Sequence, residues 1–154
     1  MRSLSLFSIL LICAPLRVPV SPSSPTFIDP TGTYVLKGVV IKNNITGHFG
    51  ELRIRLLDRQ TAAFCFYLNS GYPDFVSGAL VDTLKYDDNR LLYRPVNDTS
   101  CFLILTFNLR KVELMEVFSN PHSGCGFAPG VVAPVTFDKI SSEVPIIQDL
   151  STKG

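Results

Sequence analysis

Two cysteines bracketing a β-hairpin constrain this chain more than any other feature of its sequence. Residues 101–107, Cys-Phe-Leu-Ile-Leu-Thr-Phe, read as a strand. A polar corner at residues 108–111 leads to a second strand-like run at 112–118. A turn at 119–124 then brings in Cys125-Gly126-Phe127-Ala128-Pro129-Gly130 and a last apolar run at 131–137. Alternating and β-branched runs of this length, separated by Gly, Pro, Asn and Ser, are strand and turn chemistry. The stretch argues for a small all-β domain and carries no reaction by itself.

The rest of the chain repeats that grammar. Residues 51–56, Glu-Leu-Arg-Ile-Arg-Leu, alternate with period two, which puts Leu52, Ile54 and Leu56 on one face and Glu51, Arg53 and Arg55 on the other. That is the pattern of a strand with one face in a core and one in water. Further runs lie at 32–41, with Gly38 marking a bend, and at 61–68, 75–84 and 91–94. Turn residues stand between them at 42–44, 58–60, 69–74, 87–89 and 97–99. No stretch keeps a helical period for as many as about twelve residues. Eight short runs in sequence predict an eight-stranded, mostly antiparallel up-and-down barrel or barrel-like sandwich.

The N-terminal 25 residues read as an export signal. Arg2 gives a positive start, residues 4–14 an apolar stretch too short to span a bilayer, and residues 18–25 a small, polar, proline-rich region with a cleavage site near Ser23. Cys13 allows a second form of export, as a lipoprotein, although Ile12 stands where a small residue is usual. The expected organisation is a leader at 1–25, one β domain at 26–140 and a polar tail at 141–154, with residues 144–147 able to dock on the barrel. Removing the leader takes Arg2 and Arg17 from the 14 basic residues, leaving 12 against 13 acidic ones. A near-neutral chain with mixed signs offers no electrostatic basis for binding nucleic acid or an anionic membrane. The expectation is a monomer, secreted or periplasmic, with no membrane span after the leader.

Export implies an oxidising compartment, and three cysteines remain there: Cys65, Cys101 and Cys125. Cys101 and Cys125 flank one hairpin and are the favoured pair. A bridge closing that loop stabilises by roughly 3 kcal/mol in the chain-entropy account. Cys65 sits in Phe64-Cys65-Phe66-Tyr67 and reads as a small buried hydrophobe.

Residues 101–139 resemble the C-terminal half of a group of small exported bacterial proteins. The shared pattern is a cysteine-led strand, a hairpin, a Cys-Gly-Phe-Gly-like elbow and a final strand ending in an aromatic and a lysine. It is carried here by Cys101, Leu103, Leu105, Phe107, Val112, Leu114, Cys125-Gly126-Phe127, Gly130-Val131, Phe137 and Lys139. The chain departs from it at Ala128-Pro129 and Ala133-Pro134. The resemblance implies export and a β-barrel, and offers no activity to carry over. Gly32-Thr33-Tyr34 also resembles the glycine-x-aromatic opening of lipocalin-type barrels.

Sites for chemistry are sparse. The two histidines, His48 and His122, stand in polar turns, and a nucleophilic pairing of either with Cys65 has no supporting motif. His122 and Cys125 are three apart without a second ligand pair, and Asp87-Asp88-Asn89 lacks the rest of a calcium loop. Asp74 and Asp82 are acids that nothing in the sequence joins. Sequons occur at Asn44-Ile45-Thr46 and Asn97-Asp98-Thr99. No catalytic residue, metal ligand or cofactor is expected. The loop at 69–74 differs, because Tyr72-Pro73 offers a rigid aromatic at an exposed tip. Tyr72, Asp74 and Arg94 are the candidate binding residues. The expected function is a non-enzymatic binding module, holding either a small apolar ligand in the barrel mouth or an extracytoplasmic protein on its loops. A small hydrolase whose residues converge only in the fold, and a structural protein of the cell envelope, are the alternatives.

Overall fold

The computed structural model describes residues 26–120 and 123–148. The expected export leader, Cys13, His122 and the end of the expected polar tail, residues 149–154, fall outside those residues. Ten strands make up the described chain: β1 (Gly32–Leu36), β2 (Val39–Ile41), β3 (Asn44–Thr46), β4 (Phe49–Asp58), β5 (Thr61–Asn69), β6 (Ser77–Asp87), β7 (Arg90–Tyr93), β8 (Cys101–Phe107), β9 (Lys111–Phe118) and β10 (Val135–Ser141). Eight of them close into an antiparallel barrel in the order β1-β10-β9-β8-β7-β6-β5-β4. Each strand pairs with its sequence neighbour, and β1 closes on β10 with Thr33 opposite Ser141. The one excursion is a two-stranded hairpin, β2–β3, inserted between β1 and β4. The eight-stranded meander expected from the spacing of the runs is therefore the fold.

Three runs depart furthest from the bounds the sequence suggested. The run at 32–41 divides at Gly38: residues up to Leu36 join the barrel, and Val39–Ile41 leave it. A Cβ on Gly38 would stand 2.5 Å from Ile45 Cγ2, so the bend needs the missing side chain. The run at 75–84 loses its first two residues, because Phe75 adopts φ +48° in a loop, and it extends instead through Asp87. The final strand begins at Val135 rather than Val131 and continues to Ser141. Val131 and Val132 are apolar because they are buried within the preceding connection.

The alternation read in β4 has its expected direction: Leu52 and Ile54 are fully buried, with Leu56 partly so. β8 alternates over its whole length, with Cys101, Leu103, Leu105 and Phe107 inward. Phe64, Phe66 and Leu68 from β5, Val112 and Leu114 from β9, Tyr34 from β1 and Phe137 from β10 complete one continuous core. Each such side chain contributes on the order of 1.5–3 kcal/mol by leaving water. Eight strands enclose a space that side chains can fill, and aromatic rings fill this one. Phe64 lies 6.4 Å from Phe66, and Tyr34 6.3 Å from Phe107, between ring centroids.

Cys65 follows a different rule. It is fully buried, yet it occupies an outward position on β5, between Arg53 of β4 and Val81 of β6. It stands outside the core cluster. Arg53 is itself held low over the barrel wall by Glu51 and by the Ile146 carbonyl of the C-terminal segment, 3.4 Å away.

The two ends of the barrel differ. At one end the β4–β5, β6–β7 and β8–β9 connections are tight, spanning residues 59–60, 88–89 and 108–110. Asp88 and Asn89 both have positive φ, the geometry of a two-residue hairpin turn. At the opposite end lie all the long connections, residues 37–48, 70–76, 94–100 and 119–134.

Candidate binding surface

The tight-turn end is sealed by the lead-in at residues 26–31. Tyr34 donates its hydroxyl to the Pro30 carbonyl at 2.8 Å, and Tyr86 donates to Ile28 at 2.6 Å. Asn89 binds both sides of the same segment, accepting from the Ile28 amide and donating to the Thr26 carbonyl, each at 2.9 Å. Burial pushes the Tyr86 hydroxyl up to about 12, with the Asp29 charge adding to the effect. It raises Tyr34 further, beyond the ordinary tyrosine range, with smaller contributions from Tyr86 and Asp29. Lys139 lies 5.4 Å over the Tyr34 ring, and its burial lowers the ammonium pKa, against a smaller opposing pull from Asp29.

The long-loop end is closed by the β9–β10 connection. Phe127 reaches the Phe66 ring at 5.6 Å, and Val131 is fully buried beside it. A Cβ on Gly78 would meet the Phe127 ring at 2.6 Å and Val131 Cγ1 at 2.9 Å, so β6 is bare there to admit them. Phe64, Phe66, Leu103 and Leu105, which would have lined a ligand cavity, are packed core.

Cross-links tie the four long connections into one platform. Cys101 and Cys125 form a disulfide with Cα atoms 5.1 Å apart, as the hairpin reading expected. Asp98 accepts from the Ser100 amide and hydroxyl and from the Ser123 hydroxyl, joining the β7–β8 and β9–β10 connections. Those hydroxyl bonds, Ser100 first, hold the Asp98 carboxyl below its ordinary value. His48 contacts the Gly130 carbonyl at 3.0 Å. The Tyr72 amide donates to the Ile45 carbonyl at 2.7 Å, and Thr46 and Tyr72 form a parallel bridge, joining the β5–β6 loop to the hairpin.

The residues singled out in the sequence fall on this platform. Tyr72, 51% exposed, crosses Phe75 edge-to-face at 6.2 Å. The loop beneath them is held by Asn69, whose buried side chain accepts from the Gly71 amide at 2.7 Å and donates to the Phe75 carbonyl. Asp74 is exposed on the same loop. Arg94 is at the same barrel end, on the β7–β8 connection, with its guanidinium 4.6 Å above the Phe102 ring. Its charge is thereby anchored against the barrel wall.

Sequence reasoning missed the larger part of the surface. Val39, Val40, Ile41, Ile45 and Phe75 are all exposed, Val40 at 68%. The signal was there in three consecutive β-branched residues ending at Lys42-Asn43. Both of those residues take positive φ and make a two-residue hairpin turn.

Among the described residues, His48 and Cys65 are not brought together. His48 reaches a carbonyl, whereas Cys65 is buried on the wall of β5. Glu116 places a carboxylate oxygen 3.7 Å from Cys101 Sγ, and desolvation raises its pKa. The two sulfurs beside it are bonded to each other and so are not metal ligands while the bridge stands. No helix among the described residues is long and apolar enough to cross a membrane. Comparison with protein-family models, with curated proteins and with solved structures returns no match.

Proposed function

We propose that this chain is an extracytoplasmic, non-enzymatic binding module that grips another protein with its long-loop end. One observation carries the reading: the barrel interior is filled with side chains, while the loop-bearing rim exposes Tyr72, Phe75 and the hairpin apolar residues in hydrogen-bonded positions. Apolar side chains gathered in one patch of a surface mark a contact with another molecule, where scattered single ones do not. Aromatics held rigid in advance lose little entropy when they dock. The packed core and the Phe127 closure favour a partner outside the barrel over a small ligand within it. The disulfide, together with the leader-like first 25 residues, supports action outside the cytoplasm.

The test is immobilised wild-type protein and a Tyr72→Ala, Phe75→Ala double variant, exposed to extracytoplasmic fluid from cells that make the chain. A protein retained by the wild type and reduced at least about tenfold by the double variant is expected, since aromatic hot spots are worth about 2 kcal/mol or more. Retention of nothing, together with a hydrolytic turnover abolished by His48→Ala, would replace this reading with the enzyme.

A further inference from the structure

The hairpin has two edges, and the described residues of the chain pair with only one of them. In β2–β3, Val39 pairs with Thr46, Val40 with Ile45 and Ile41 with Asn44 around the Lys42-Asn43 turn. A two-residue turn makes Ile41 and Asn44 the hydrogen-bonded pair, so Val40 and Ile45 are the non-bonded pair and point their backbone groups outward. On the β3 side this is visible directly, because the Ile45 carbonyl takes the Tyr72 amide at 2.7 Å. On the β2 side no strand lies along Val40 among the described residues. Val39, Val40 and Ile41 are all exposed, and although this edge is short and flanked by Lys37 and Lys42, no proline, bulge or inward charge interrupts it.

We infer that β2 is a strand-addition site: its open edge takes an extended segment of a partner protein, β-branched at its centre and acidic at its flanks, as a third strand of the hairpin. This deepens, and rests on, the protein-binding reading above. Main-chain bonds to Val40 supply affinity in such an arrangement, and alternate side chains supply selectivity. The acidic flanks follow from charge. Exposed Lys37 and Lys42 stand at the two ends of β2, and no Asp or Glu occurs anywhere in residues 37–50.

Charge and backbone valence also separate this occupant from its rivals. A second copy paired antiparallel across Val40 would gather two Lys37 and two Lys42 side chains around one short ladder without an acid from either segment. Like charges brought together across a ladder destabilise it. A lipid surface would suit the valines and isoleucines, but the Val40 amide and carbonyl would enter hydrocarbon unpaired, at a cost that excludes open sheet edges from bilayers.

The experiment titrates isotope-labelled full-length protein with a capped peptide that has a Val-Thr-Val centre and two glutamates on each flank. Amide shifts at residues 39–42 and slowed exchange of the Val40 amide are expected. The same peptide N-methylated at its centre should bind about tenfold more weakly, the loss of one or two backbone hydrogen bonds. Val40→Pro removes the outward donor without touching a bond inside the hairpin, and should weaken the parent peptide similarly. If that variant fails to fold, the N-methylated peptide on wild-type protein still decides. Lys37→Glu with Lys42→Glu should transfer preference to a lysine-flanked peptide.

Equal binding of the N-methylated peptide, or no shift at 39–42, overturns the inference. So do shifts there that follow protein concentration alone, which mean self-pairing, or that only phosphatidylglycerol vesicles produce. A partner that is lost with Tyr72→Ala and Phe75→Ala but indifferent to Val40→Pro would sink strand addition and leave the binding module standing.

Discussion

The ring of Phe127 tilts across the ring of Phe66 at 5.6 Å between centroids. A residue from the long β9–β10 connection thus packs on a core residue of β5 and stoppers the barrel. Phe127→Ala should cost about 2 kcal/mol, below the range for a fully buried phenylalanine because Phe127 is only half-buried. It should also open the mouth to an apolar dye. Gly78→Ala, whose Cβ would collide with that ring, should be strongly destabilising alone and much less so beside Phe127→Ala. Additive losses in a denaturant-based double-mutant cycle would contradict the contact.

Stability should fall on the alkaline side, with a slope set by three tyrosines whose burial raises their pKa, Tyr34, Tyr86 and Tyr93. The Tyr86 hydroxyl is raised from 10.0 to about 12, so its contribution is complete below the unfolded value of 10.0 and disappears as pH climbs toward the folded one. In that window the unfolded chain has already released its proton, and stability drops by about 1.4 kcal/mol per pH unit for each such group. Tyr34 and Tyr93 have the same sign. Lys139 has the opposite one, since a lowered lysine gains stability as pH rises to its unfolded value, and so cannot produce the loss. Tyr86→Phe should make the slope of urea stability shallower between pH 10.5 and 11.5, within the window those two values define. An unchanged slope would show that Tyr86 ionises alike in both states.

Replacing Cys101 and Cys125 together by serine should lower stability by roughly 3 kcal/mol, the closure entropy of a loop of this size. The bridge spans a sequence separation of 24. Peptide mapping without reductant should recover the Cys101–Cys125 link. A fragment joining Cys65 to either of them would disprove the pairing.

Gly71 has φ +71°, and a Cβ there would lie 2.5 Å from the Gly47 carbonyl oxygen and 2.8 Å from that of Ile45. Gly71→Ala should therefore cost on the order of 1–3 kcal/mol through strain and collision with backbone. Its more telling effect is local: the Tyr72 amide should exchange faster with solvent as the loop parts from the hairpin. Unaltered exchange at Tyr72 would mean that the loop holds its place without that close approach.

Cys65 should resist a thiol reagent in the native protein. Arg53→Ala should raise its labelling rate severalfold, because Arg53 is its cross-strand neighbour and is pinned over the wall by Glu51 and Ile146. Equal rates would assign the shielding to other neighbours.

What was legible in the sequence was what period two encodes. Leu52 and Ile54 declare an inward face because Arg53 and Arg55 alternate with them, and the same logic fixed β8. Strand number and order followed, since short turns leave few ways to join neighbours. What period two cannot say is which molecule hides an apolar residue. Val39–Ile41 and Val131–Val132 carry the same β-branched chemistry as a barrel strand. The first stretch stands in solvent on a hairpin, whereas the second is buried inside a connection. Gly38 and the prolines at 129 and 134 marked both departures, but only as interruptions. Cys65 looked like core because its neighbours are, although its outward position follows directly from counting along β5 from Phe64. The platform itself was illegible, because the His48–Gly130 and Tyr72–Ile45 contacts join residues 82 and 27 positions apart through loops that no pattern predicts.

Closure of β1 on β10 also gives the molecule an orientation. The chain enters the barrel at Gly32 and leaves it at Ser141, side by side at the tight-turn end, and the exposed rim lies at the other. A tether attached before residue 26 would therefore act like a mast, displaying Tyr72 and the hairpin away from whatever surface holds it. In an immobilisation or fusion experiment, a linker at the N-terminal side should leave capture intact. One inserted at Asn43-Asn44 would turn the molecule upside down and mask the very face meant to be read.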